Sequence, residues 1–134
     1  LNMPDSAIAA YKYAITLDTT DTYIYDNIGE LYLKQGNVTL AALYYSHRIV
    51  TNPAEYGGYS KLTYLYFLSK DYEKAVAVNR QAVERMPNLA LPYINLGKSY
   101  QNLNQADSAF VYYNRALQVE PGNTEAVQLL NQFR

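Results

Sequence analysis

The chain has 134 residues and a formal net charge of −1, with a pI near 5.8, so it carries no basic footprint. Nucleic acid held by phosphate contacts and anionic membrane surfaces are therefore not expected as partners. It has no cysteine, which excludes disulfides, thiolate zinc sites and a cysteine nucleophile and leaves the compartment undetermined.

No apolar run approaches the roughly 20 residues of a spanning helix, and no charged region followed by an apolar block opens the chain. Membrane insertion is not expected, and the sequence assigns no localisation. Tyrosine is over-used, with 16 Tyr against 3 Phe and no Trp. Many of these rings fall at helical core spacing, where a ring fills the space between helices and its hydroxyl reaches water at the edge.

Residues 4–18 predict a helix with Pro4 in its first turn and Ala7, Tyr11, Ala14 and Ile15 along one face. One amphipathic helix cannot bury its face alone, so 1–21 reads as the second half of a helix pair whose first half is missing. Thr19, Thr20 and Asp21 supply polar caps for the next helix. Residues 22–55 predict helices near 22–35 and 38–51, with Gly36-Asn37 ending one and capping the other. Arg48 stands where the related positions hold Ala14, Ala82 and Ala116, and is expected to direct its guanidinium outward to a carboxylate. His47, the single histidine, has no identifiable base or nucleophile beside it and reads as a surface residue.

Residues 56–89 predict helices near 55–69 and 72–86. Gly57-Gly58 at the start of the first lowers helix propensity by about 1 kcal/mol per residue relative to Ala, which marks the place where fraying is expected. Residues 90–123 predict a further pair, with Pro92 in the first turn where a missing N–H costs little. Residues 124–134 predict a last helix whose Val127 and Leu130 cover the preceding pair, either a cut repeat or a cap.

These pairs recur with a period of 34 residues. Tyr93, Leu96, Gly97, Tyr100, Ala109, Tyr113, Ala116 and Pro121 in the third pair correspond to Tyr59, Leu62, Tyr66, Ala75, Ala82 and Pro87 in the second. Tyr25, Ile28, Gly29, Tyr32, Ala41, Tyr45 and Pro53 repeat the pattern in the first. The middle pair departs most, with Thr63 for the glycine and Asn79 for the large aromatic.

The spacing resembles the tetratricopeptide repeat. The resemblance implies an all-α fold, a right-handed superhelical stack of antiparallel helix pairs with about seven helices. It would be a single domain: a truncated repeat over 1–21, repeats over 22–55, 56–89 and 90–123, and a truncated repeat or capping helix over 124–134. It also implies that Gly29 faces Ala41, and Gly97 faces Ala109, where two helices cross closely.

From the same resemblance, first helices line a concave groove whose exposed places are Tyr23, Asp26, Glu30 and Leu33, then Gly57, Ser60, Tyr64 and Phe67, then Leu91, Ile94, Lys98 and Gln101. The implied function is a protein-interaction scaffold holding a peptide or helix of a partner, with no cofactor and no metal. Tyr64 and Phe67 would be its anchors, and a ligand Lys or Arg would meet Asp26 and Glu30. A carboxylate clamp of the kind used by chaperone cofactors is not expected, because its basic and amide places hold Asp26, Glu30, Lys61, Leu91 and Asn95. Catalysis is not expected either, since Asp26 and Glu30 on one helix face neither flank a substrate nor come with histidine ligands. The alternative role is a spacer or oligomerisation arm of a larger protein, with weak self-association through the cut ends.

Overall fold

The computed structural model describes residues 3–17 and 21–133. Eight helices account for nearly all of them: α1 (Met3–Leu17), α2 (Tyr23–Lys34), α3 (Val38–Thr51), α4 (Tyr56–Leu68), α5 (Tyr72–Arg85), α6 (Ala90–Asn102), α7 (Ala106–Val119) and α8 (Thr124–Asn131). The expectation was about seven. The internal boundaries agree with the sequence reading to within a residue or two, and α8 stops short of the expected end of the chain. Thr19 and Thr20, expected as caps, lie outside the described residues. Asp21 does cap, accepting from the Tyr23 amide at 3.1 Å.

The first helix of each pair ends by the same device. Gly36, Lys70 and Asn104, spaced by the repeat period, have φ of +76°, +57° and +59°. The amide after each donates back into the preceding helix, Asn37 to Tyr32 O, Asp71 to Tyr66 O and Gln105 to Tyr100 O, at 2.8–2.9 Å. This satisfies carbonyls that a helix end leaves open. The Asn37 side chain then accepts from Leu40 N at 3.1 Å and starts α3.

Contacts gather the chain into two compact units, Leu1–Leu65 and Tyr66–Arg134. In the first unit α2 packs on α1 and α3, around Tyr25, Ile28, Tyr32, Ala41 and Tyr45. In the second, α6 packs on α5 and α7, and α8 on α7. Its core has two clusters, Ala90, Tyr93, Ile94, Ala116 and Ala126 in one and Leu96, Tyr100, Ala109 and Tyr113 in the other.

Two expectations about close packing change. The nearest atoms to a side chain added at Gly29 belong to the Tyr45 ring, 2.5 Å away, and not to Ala41. At Gly97 they belong to Tyr113, whose Cδ1 is 2.5 Å away, and not to Ala109. The glycine makes room for a tyrosine ring, which needs more space than a methyl group. Several hydroxyls also find protein partners where water was expected. Tyr59 donates to Pro53 O and Tyr93 to Pro87 O, each at 3.0 Å, and Tyr113 donates to Gln101 Oε1 at 2.7 Å.

Candidate binding surface

The residues expected to line a groove fall into three groups. In the first unit, the rings of Tyr23 and Tyr64 are 63% and 61% exposed, Ser60 is exposed, and Glu30 and Leu33 are half-buried. In the second unit, Leu91 and Gln101 are exposed, while Lys98 is half-buried in an ion pair with Glu125. Phe67 is half-buried, edge-on to Tyr72 at 5.5 Å. Asp26 and Ile94 are not surface residues. Ile94 is 1% exposed, packed in the cluster that includes Ala116 and Ala126.

Asp26 is drawn inward by Arg48, which corrects the expectation for both residues. Arg48 does pair with a carboxylate, but from inside: it is 5% exposed, donates through Nη1 to Asp26 Oδ2, and through Nη2 to Glu55 Oε1 at 2.6 Å. The Tyr23 ring lies over its guanidinium at 5.1 Å. The room comes from Gly57 and Gly58. An added side chain at Gly57 would run into the Arg48 guanidinium, and one at Gly58 would meet Ile49 Cγ1 at 2.8 Å. The glycine pair that looked like a weak start to α4 is where α4 receives Arg48. Sequence reasoning had both halves, an arginine in an alanine place and two glycines nine residues on, without the contact that joins them.

Burial pushes the Asp26 carboxyl above its ordinary value, with Arg48 and Lys61 pulling the other way. Asp26 Oδ1 and Arg48 Nε have no hydrogen-bond partner. The second expected acid is also engaged, since Glu30 Oε1 accepts from Lys61. Both carboxylates expected to meet a ligand cation are thus already paired within the chain.

One open feature of the first unit is a cavity of about 200 Å³ lined by Glu30, Leu33, Lys34, Tyr45, Lys61 and Tyr64. Its walls are mostly apolar, and the Glu30–Lys61 pair lies on its rim. Lys34 and Lys61 belong to this wall, and the groove reading had included neither. His47 is exposed as expected, stacked on Tyr25 at 5.7 Å. No helix among the described residues is long and apolar enough to cross a membrane.

Residues 91–123 match the tetratricopeptide repeat family. Among solved structures the chain is similar to the crystal structure of MamA, with 22% identity and a TM-score of 0.74 over 96% of this chain and 75% of that one. It is similar also to the first tetratricopeptide domain of Spaghetti (RPAP3) bound to the HSP90 peptide SRMEEVD, with 24% identity and a TM-score of 0.70 over 86% of this chain and 91% of that one. The first such domain of human RPAP3 in solution gives 24% identity and a TM-score of 0.69, covering 83% and 87%. No curated protein sequence matches the chain. The chain thus has the fold of a tetratricopeptide repeat protein, built from antiparallel helix pairs, and residues 91–123 carry the repeat's sequence pattern.

Proposed function

We propose that the chain is a protein-interaction scaffold without catalysis of its own, and that its first unit holds one apolar side chain of a partner's peptide or helix. The observation that carries this is Tyr64, whose ring stands 61% exposed at the edge of the cavity formed with Leu33 and Tyr45. An exposed ring beside an apolar recess is the arrangement peptide-binding surfaces use as an anchor. The volume supports a side chain as occupant, since about 200 Å³ lies below the roughly 300–1,000 Å³ of small-molecule sites.

Of the residues expected from the resemblance, Tyr23, Glu30, Leu33, Ser60 and Tyr64 belong to this proposed surface. Leu91, Lys98, Gln101 and Phe67 are proposed as further contact positions on the second unit. The similarity to a domain bound to a peptide supports a peptide as the class of ligand.

Replacing Asp26 would test folding and not binding, because it is buried against Arg48. Tyr64→Ala is the informative change. It should abolish capture of the partner from an extract of the source cells while the circular dichroism melt stays within about 0.5 kcal/mol of wild type. Capture that survives Tyr64→Ala would move the site elsewhere, and a chain that captures nothing but itself would favour a spacer or oligomerisation arm.

A further inference from the structure

We propose that the segment held by the first unit carries a carboxylate next to its apolar anchor, and that Lys34 and Asn27 receive it. This rests on the reading of the Tyr64 cavity as a binding site and specifies the chemistry of its ligand.

The charges on this surface decide the sign. Asp26 is buried with Arg48, Glu30 is paired with Lys61, and Asp5 on α1 accepts from the Gln35 amide at 2.8 Å. Each of these carboxylates already has a partner within the chain. Lys34 is different. Among the described residues it has no carboxylate partner, and the Asn27 amide has no hydrogen-bond partner. Both are exposed, seven residues apart on α2, and so lie two turns apart along one stripe with Glu30 between them.

Lys34 also joins two recesses. It lines the apolar cavity with Leu33 and Tyr64, and a second cavity of about 190 Å³ with Tyr11 and Asn27. The charged residues lining the two are Lys34, Lys61 and Glu30, a net charge of +1. A cation in the last turn of α2 is favoured by the helix dipole, and no side-chain carboxylate among the described residues competes for its ammonium. An apolar side chain in the first recess places the neighbouring residues of the same segment at the second, where a carboxylate meets an ammonium and an amide donor. A basic residue there meets Lys34 and is repelled.

The test selects a random peptide library displayed on phage against the whole chain, against Lys34→Glu and against Tyr64→Ala. Wild type should enrich peptides with an aliphatic or aromatic residue flanked by Asp or Glu. Lys34→Glu should exchange that acidic flank for Lys or Arg and weaken the wild-type consensus peptide by about tenfold at low ionic strength, less at high salt. Asn27→Ala should weaken it without changing the preferred sign. A wild-type consensus flanked by Lys or Arg, or an acidic flank unchanged by Lys34→Glu, overturns this inference while loss of enrichment with Tyr64→Ala keeps the site. Enrichment that survives Tyr64→Ala, or no enrichment by wild type, overturns the site itself and this inference with it.

Discussion

Position 48 holds arginine where positions 14, 82 and 116 hold alanine, and the helix that follows has changed to receive it. Nine and ten residues after Ala14 and Ala82 the chain carries Tyr23-Ile24 and Leu91-Pro92, whereas after Arg48 it carries Gly57-Gly58, which lie against Arg48. Removing one partner of a buried pair leaves the other charge uncompensated, so Arg48→Ala should cost about 3–5 kcal/mol in a urea titration. Arg48→Ala with Asp26→Leu should cost less than Arg48→Ala alone; a larger loss would show that the pair stabilises beyond its own charges. Because burial raises the Asp26 pKa, the folded chain holds this proton more tightly than the unfolded one. The stability from this group is present below the ordinary value of 3.8 and lost as pH rises through the raised value. Stability of wild type relative to Asp26→Asn should therefore fall as pH increases from 3.8. The buried hydroxyls of Tyr45 and Tyr113 act with the same sign, pushed up to about 12. Ultraviolet titration should show late-ionising tyrosines, with stability lost between pH 10 and about 12. Gly97→Ala drives a methyl group into the Tyr113 ring and should cost about 1–3 kcal/mol. An equal cost in a Tyr113→Asn background would separate the glycine from the ring.

At the scale of elements, the turn between the two helices of a pair is the most regular part of the chain. Its left-handed residue is Gly36, Lys70 or Asn104, and the bond into the preceding helix is the same each time. Lysine gains nothing from this conformation. A left-handed residue with a Cβ costs roughly 1–2 kcal/mol, and the extra freedom glycine has in the unfolded chain takes back about 0.5–1 kcal/mol. Lys70→Gly should thus stabilise by about 0.5–1 kcal/mol, read as a higher urea midpoint with an unchanged slope. Asn104→Gly should gain less, because asparagine tolerates the left-handed region. A loss on Lys70→Gly would place value in the lysine side chain that the turn geometry does not explain.

At the scale of the molecule, helices adjacent in sequence pack on one another within each unit, α1 on α2 and α2 on α3 in the first, α5 on α6, α6 on α7 and α7 on α8 in the second, as expected of a stacked repeat. Stability in such a chain is nearly a sum of local terms, so damage should stay local. Arg48→Ala is expected to speed amide hydrogen exchange through α2, α3 and the start of α4 while α6 and α7 keep their protection. Uniform acceleration over both units would mean one cooperative transition.

The 34-residue period, the helix boundaries of the first two pairs, the turn at Gly36 and the tyrosine core were legible in the sequence because each depends on residues close along the chain, whereas the left-handed residues Lys70 and Asn104 came from the structure. Seven of the nine tyrosines that fall on the repeat's large-residue positions are buried: Tyr25, Tyr32, Tyr45, Tyr59, Tyr93, Tyr100 and Tyr113. The surface was less legible. Spacing puts Asp26, Glu30 and Lys34 on one helix, but whether a carboxylate faces a ligand depends on cations from other helices, Arg48 on α3 and Lys61 on α4. The same holds for Ile94, exposed by register and covered in the core that includes Ala126 of α8. Charge and exposure are properties of neighbours in space, and only the tertiary structure decided which side chains those were.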